Sequence, residues 1–231
     1  MIITSVLEKK LENTKGNNKS IDFINKQCDK LQMIYGAKDL HSVYGCGESN
    51  NPRISFVFMN PTKKNVATDN SWSGLRAQWL GTKQIWDFLY KCGLFSLSLN
   101  EKIKSIKPQD WTPEFCQIVY DEVKRHGIWI TNLAKCAQSD ARPLPDKVFV
   151  AYKDLLMQEL NVVRPQKIVM FGNQVSSIML NKKISVSTTR RQKFMLSIYG
   201  KDYDSYAVYY PVGNGRFNQD KAIEDIKFIL S

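Results

Sequence analysis

A chain of 231 residues, 43% of them hydrophobic, has room for one large domain with a real core. Its 33 Lys+Arg against 22 Asp+Glu give a net charge of +11, which points to an anionic partner, nucleic acid before acidic membrane. No apolar run approaches a membrane span, the opening "MIITSVLEKK" meets charge too early for a signal peptide, and five scattered cysteines without a Cys-x-x-Cys pair argue against a disulfide framework or a zinc site.

The first forty residues read as two helices, roughly Thr4 to Thr14 and Ser20 to Tyr35, with Ser20 and Asp22 marking the second start. "SVYGCGESNNPRISFVFMN" gives a short strand, a turn and a strand apolar enough to be buried on both faces. That strand gives out on Asn60-Pro61, just before Lys63 and Lys64. "KQIWDFLYKCGLF" sets Ile85, Trp86, Leu89 and Cys92 on one helical face, with Gly93 as the stop. "TPEFCQIVYDEVKRHG" is an amphipathic helix capped by Thr112, with Pro113 in its first turn. "IWITN" is a strand, and "PLPDKVFVAYKDLLMQELNVVRP" is a long helix with Val148, Tyr152, Leu155, Leu156 and Leu160 at helical spacing. "KIVMFG" is a second buried strand leading into the helix "NQVSSIML". "KFMLSIYG" and "SYAVYYP" are further strands, and "NQDKAIEDIKFIL" closes as a helix with Ala222, Ile226, Ile229 and Leu230 inward.

This alternation of buried strands and crossover helices predicts a three-layer α/β/α sandwich with a largely parallel central sheet. Residues 1–231 form a single domain on this reading, with 1–40 as a helical segment packed on it. In such sheets, sites lie beyond the carboxyl ends of the strands. The ends here are "MNPT", "TNLAKC", "FGNQ" and "YPVGNGRF", all polar or glycine-rich. Basic residues lie near them: Lys63, Lys64, Arg76, Lys83, Lys135, Arg142, Arg190, Arg191 and Arg216.

Taken in order, these segments resemble the uracil-DNA glycosylase superfamily over about residues 28–230. Phe58-Met59-Asn60-Pro61-Thr62 is similar to the first active-site motif. That motif reads Gly-Ile-Asn-Pro-Gly in the mismatch-specific thymine/uracil branch and Gly-Glu-Ala-Pro-Gly in the iron–sulfur branch. The Asn-Pro is kept here and both flanking glycines are replaced. "KQIWDFLYKCGLF" also resembles the mismatch branch, whereas "GIWITNLAKCAQSDARPLP" and "VVRPQKIVMFGNQVSSIML" resemble the iron–sulfur branch. The second motif, commonly His-Pro-Ser, falls on Tyr210-Pro211-Val212. Of the four cluster-ligand positions, two hold thiols, Cys28 and Cys136, and the others fall near Leu31 and Ala151. A thiolate-held cluster needs its ligand set, so the expectation is no metal, no cofactor and two structural cysteines. His41 and His126 lie outside the motifs and are expected at the surface or in packing roles.

The resemblance implies a monofunctional DNA glycosylase acting on uracil or another deaminated base, with a G·U mispair as the favoured context. Asn132 would read the base edge, since an amide supplies a donor and an acceptor together. Met59 and Trp79 would complete the base pocket, with Trp72 the alternative to Trp79. Asn60 would hold the attacking water, and Asp69 is the nearest carboxylate in sequence. Tyr210, Asn214 and backbone N–H groups beside Gly213 and Gly215 would meet charge on the departing base. Arg216 and Phe217 would wedge into the minor groove, and Lys63, Lys64, Lys135 and Arg142 would neutralise phosphates. The expected partner is DNA, duplex or single-stranded, and no membrane. A monomer is expected, cytoplasmic and nucleoid-associated, or nuclear. The replaced histidine and glycines leave a catalytically inactive nucleic-acid-binding protein of the same fold as the alternative. A nucleotide-processing hydrolase is disfavoured, because there is no glycine-rich phosphate loop or carboxylate cluster for Mg²⁺.

Overall fold

The computed structural model describes residues 20–231, and the helix expected over Thr4–Thr14 lies outside them. Ser20 caps helix α1 (Ile21–Tyr35), its side chain accepting from the Phe23 N–H at 3.3 Å. Strands β1 (Cys46–Gly47) and β2 (Ile54–Phe58) follow. Helices α2 (Gln84–Lys91), α3 (Leu97–Ser105) and α4 (Pro113–Arg125) lead to β3 (Ile128–Asn132). Next come α5 (Asp146–Val163), β4 (Lys167–Phe171), α6 (Asn173–Leu180) and the short α7 (Val186–Thr189). Strands β5 (Lys193–Ile198) and β6 (Lys201–Val208) and helix α8 (Gln219–Leu230) complete the chain. Helix α3 was not anticipated, because only Asn100 and Ile103 of its nine residues are buried and the apolar stripe is too thin to read.

The sheet order is β1-β3-β2-β4-β6-β5. The four central strands run parallel, and both edge strands pair antiparallel. β5 and β6 form a hairpin whose two connecting residues, Tyr199 and Gly200, have φ +48° and +82°, the positive values a tight hairpin turn requires. β1 is short, and Gly47 (φ +122°) is required there: a Cβ would stand 2.1 Å from the Ile128 carbonyl oxygen.

Side chains alternate across the strands, so the sheet has two faces. Ile54, Phe56, Phe58, Ile128, Ile130, Val169, Phe171 and Val208 share one face with residues of α2, α3, α4 and α8. Val57, Ile168 and Met170 share the other with α1, α5 and α6. The result is the expected three-layer sandwich. All five residues of β2 and of β3 are buried, and each large apolar side chain so buried contributes about 1.5–3 kcal/mol relative to exposure.

The parallel strands deliver their carboxyl ends to one edge. Phe58 lies opposite Asn132, and Phe171 opposite Val208. Beyond the strands the exits of β2 and β3 stay fastened. Leu133 N–H donates to the Phe58 carbonyl (2.8 Å), Ala134 N–H to that of Met59 (2.9 Å) and Gln138 N–H to that of Pro61 (3.1 Å). Among the described residues, no helix is long and apolar enough to cross a membrane.

Candidate active site

Four aromatic rings meet at this edge. Phe58 stacks on Phe171 with centroids 4.4 Å apart. Trp79 packs edge-on against Phe58 at 5.0 Å, and Tyr210 does so at 5.9 Å. Trp79 and Tyr210 lie 6.4 Å apart. Trp79 holds an uncommon left-handed backbone (φ +66°). Its carbonyl accepts from Thr82 N–H (3.1 Å), Thr82 Oγ1 (2.6 Å) and Trp86 Nε1 (3.3 Å), which fixes the turn. Trp72 is committed elsewhere, its indole N–H donating to the Leu75 carbonyl. Trp79 is therefore the tryptophan beside Tyr210.

Asn132 is the last residue of β3 and is 1% exposed. Its Nδ2 donates to Gln78 Oε1 at 2.8 Å, while its Oδ1 is buried with no protein partner. The Trp79 indole N–H is likewise buried and unpartnered. A buried donor and a buried acceptor beside a wall of rings suit a flat, hydrogen-bonding ligand. Gln78 escaped the sequence reading. The signal available was a lone polar residue in the apolar run Ala77 to Leu80.

Asn60 stands two residues beyond Phe58, partly exposed, with Nδ2 donating to the Pro61 carbonyl at 3.1 Å. Met59 departs from expectation: its side chain packs with the core of the opposite face. Alternation requires this, since Phe58 on its near side takes the aromatic wall. Asp69 also departs. It is exposed, its Oδ1 accepts from Ser71 N–H (2.8 Å) and Ser71 Oγ (2.6 Å), and those bonds hold its carboxyl below the usual range. A carboxylate so stabilised is a poor general base, and no contact joins it to Asn60, Trp79, Asn132 or Tyr210 among the described residues.

Past β6, a 3₁₀ turn spans Gly213–Asn218. Gly213 N–H donates to Gln84 Oε1 (2.9 Å) and Gln219 Nε2 to the Pro211 carbonyl (2.9 Å), pinning the loop to α2 and to itself. Gly215 has no room for a side chain, because a Cβ would lie 2.0 Å from the Tyr210 carbonyl oxygen. Asn214 and Arg216 are exposed, and Phe217 is 83% exposed with the Arg216 guanidinium 5.4 Å from its ring. Burial pushes the Tyr210 hydroxyl's pKa well above its ordinary value, so it stays a donor.

The basic residues divide. Lys63 and Lys64 are exposed, as is Arg142, which pairs with Asp140 at 2.7 Å. Lys135 does not face solvent as expected. It is 2% exposed, pairs with the equally buried Glu159 at 2.7 Å and donates to Thr131 Oγ1 and the Asn132 carbonyl. It therefore supports the end of β3 and cannot reach a phosphate. Arg76 is tied to Asp29 and Ser42, and Arg190 and Arg191 to Glu224 and Asp225. Neither histidine enters the site: His41 contacts the Asn70 carbonyl and His126 contacts Glu122.

The residues present do not fit the four-thiolate cluster of the iron–sulfur branch. Leu31, at a ligand position, offers no donor and packs in one core with Cys28, Cys136 and Tyr152. Burial pushes the Cys28 thiol up to about 12 and the Cys136 thiol to about 11, against the thiolate form that iron requires.

Parallel strands bring a buried amide, an aromatic wall and a glycine-rich loop to one edge of the sheet, the edge at which α/β proteins hold their ligands. The family model of the Uracil DNA glycosylase superfamily matches residues 45–227. The chain belongs to that superfamily, a class of hydrolases that act on DNA as glycosylases.

Proposed function

We propose that this protein is a monofunctional DNA glycosylase that removes uracil or another deaminated base. The observation that carries the reading is the buried, unpartnered Oδ1 of Asn132, in register with Phe58, whose ring packs against those of Trp79 and Tyr210. A target base must leave the duplex to reach it, at a cost of a few kcal/mol. Phe217 and Arg216 hold the vacated stack from the minor groove, while Lys63, Lys64 and Arg142 meet phosphates. The flipped base lies along the aromatic wall with its edge on Asn132.

As the bond between the sugar C1′ and the base nitrogen breaks, the sugar becomes cationic and the base takes the electron pair. Tyr210 and Asn214 stabilise that negative charge; the Gly213 and Gly215 N–H groups, expected to share the task, are already engaged by Gln84 Oε1 (2.9 Å) and the Val212 carbonyl (3.0 Å). Asn60 orients a water whose oxygen bonds to C1′ and whose proton is then released. An amide is a weak base, so the cationic sugar supplies most of the driving force.

The test incubates the purified protein with duplexes bearing one G·U, G·T or inosine site, and with single-stranded uracil DNA. Alkali then cleaves at abasic products, with Asn60→Ala and Asn132→Ala in parallel. Excision lost in both variants supports the reading and ranks the bases. Salt-sensitive DNA binding without excision from any substrate would instead favour a catalytically inactive DNA-binding protein. Tyr210 in the place of the motif histidine is the feature that keeps that second reading in view.

A further inference from the structure

We propose that Gln78 is a specificity-determining residue: by fixing the orientation of Asn132 it sets which base edge the pocket accepts. The inference rests on the glycosylase reading above.

A side-chain amide has two faces of similar shape and opposite hydrogen-bonding sense, so an amide that reads a base is useful only if something decides which way it points. Here the decision can be traced. Gln78 is 2% exposed and its Nε2 lies 3.3 Å from the Val43 carbonyl oxygen. A main-chain carbonyl can only accept, so Gln78 must turn its NH₂ towards Val43 and its Oε1 the other way. That oxygen stands 2.8 Å from Asn132 Nδ2. Turning Asn132 over would set two oxygens against each other at that distance. Both ends of the relay are held. The Gln78 carbonyl accepts from the Tyr120 hydroxyl at 2.8 Å, and Val43 N–H donates to the Lys135 carbonyl at 3.0 Å.

Asn132 therefore keeps its Oδ1 free of any protein partner, with the second hydrogen of Nδ2 left over. An acceptor beside a donor complements an N–H flanked by a carbonyl. Uracil and thymine carry that edge, and so does the lactam edge of hypoxanthine. Cytosine presents a bare ring nitrogen beside an amino group, the reverse pattern. A site built around a buried hydrogen-bonding group rejects a mismatched partner strongly, because the buried group is then left unpaired.

The test measures binding to duplexes carrying 2′-fluoro-2′-deoxyuridine or 2′-fluoro-2′-deoxycytidine, which resist hydrolysis, so the readout is independent of turnover. A tetrahydrofuran abasic site is the reference. The wild-type protein should prefer the uracil analogue at least tenfold. Gln78→Met removes the acceptor at similar size and should reduce that preference to about threefold or less, with abasic-site affinity unchanged. Gln78→Glu, neutral when buried, keeps a carbonyl for Asn132 and a hydroxyl donor for Val43, and should restore the preference. In the wild-type protein the Asn132 side-chain proton bonded to Gln78 should also exchange slowly with solvent, a measurement that stands even if Gln78→Met does not fold.

A folded Gln78→Met with undiminished preference, or fast exchange of the Asn132 proton bonded to Gln78, would overturn the role of Gln78 while leaving the glycosylase reading intact. A wild-type protein that excises no base and binds the uracil analogue no better than the abasic site would remove both.

Discussion

Phe58 and Tyr210 meet edge to face, with ring centroids 5.9 Å apart and planes at 85°, although β4 separates the strands that lead to them. Phe171 at the end of β4 stacks on Phe58 and leaves space for the contact. The ring of Tyr210 thus has a packing role, while its hydroxyl has no hydrogen-bond partner among the described residues. Tyr210→Phe keeps the ring, so stability should stay within about 0.5 kcal/mol. Single-turnover excision should fall about 10²-fold if the hydroxyl meets the leaving base. An unchanged rate would shift that task to Asn214.

The Gly213–Asn218 loop separates shape from chemistry. Gly215→Ala drives a Cβ into the Tyr210 carbonyl oxygen, so the loop must move; a melting-temperature drop corresponding to about 1–3 kcal/mol is expected, with weaker DNA binding. Phe217→Ala should leave thermal stability untouched, since the ring is 83% exposed, but weaken binding to duplex with a flipped base. A Phe217→Ala protein that binds base-flipped duplex as tightly as wild type would rule out a wedge.

Lysines that follow the neighbouring strands β2 and β3 should fail in opposite ways. Lys63→Ala with Lys64→Ala should lower the slope of log K against log salt by about 2 and leave the fold alone. Lys135→Met strands the buried Glu159 and should cost about 3–5 kcal/mol in urea unfolding. Its effect on the salt slope should be nil.

Asp87 on α2 bonds to Lys91 at 2.9 Å and to Lys104. Burial raises its carboxyl pKa, but hydrogen bonds from Lys104, Lys91 and Asn100 outweigh that and bring it from 3.8 to about 2. The folded protein therefore binds this proton less tightly than the unfolded chain. The stabilisation is complete above 3.8 and is lost as the pH falls through about 2. Asp87→Asn should melt earlier than wild type at pH 7, and the two curves should converge near pH 2. A gap that persists in acid would assign the loss to packing.

Where a signal was local, the sequence carried it. "ISFVFMN" announced a doubly buried strand, "NQVSSIML" coincides with α6, and Gly93 ends its helix with φ +76°. The placement of Asn60, Asn132 and Tyr210 at strand exits followed from the same patterns. Illegible features depended on partners distant in the chain. Lys135 looks like a loop cation until Glu159, a full helix away, is packed against it. Gln78 is an unremarked polar residue until Val43 and Asn132 close on either side of it. Met59 belongs to the motif in sequence, but the parity of the strand assigns it to the opposite face.

The Val43 carbonyl has a further consequence, and it concerns heredity. Every side chain at the site is one codon change from being lost or altered, but the main-chain oxygen at position 43 is present whichever residue is encoded there. A relay that begins from such an atom is insulated against mutation at its origin. Drift in preference between bases should therefore arise at positions 78 and 132, and position 43 should tolerate any residue that fills the same volume.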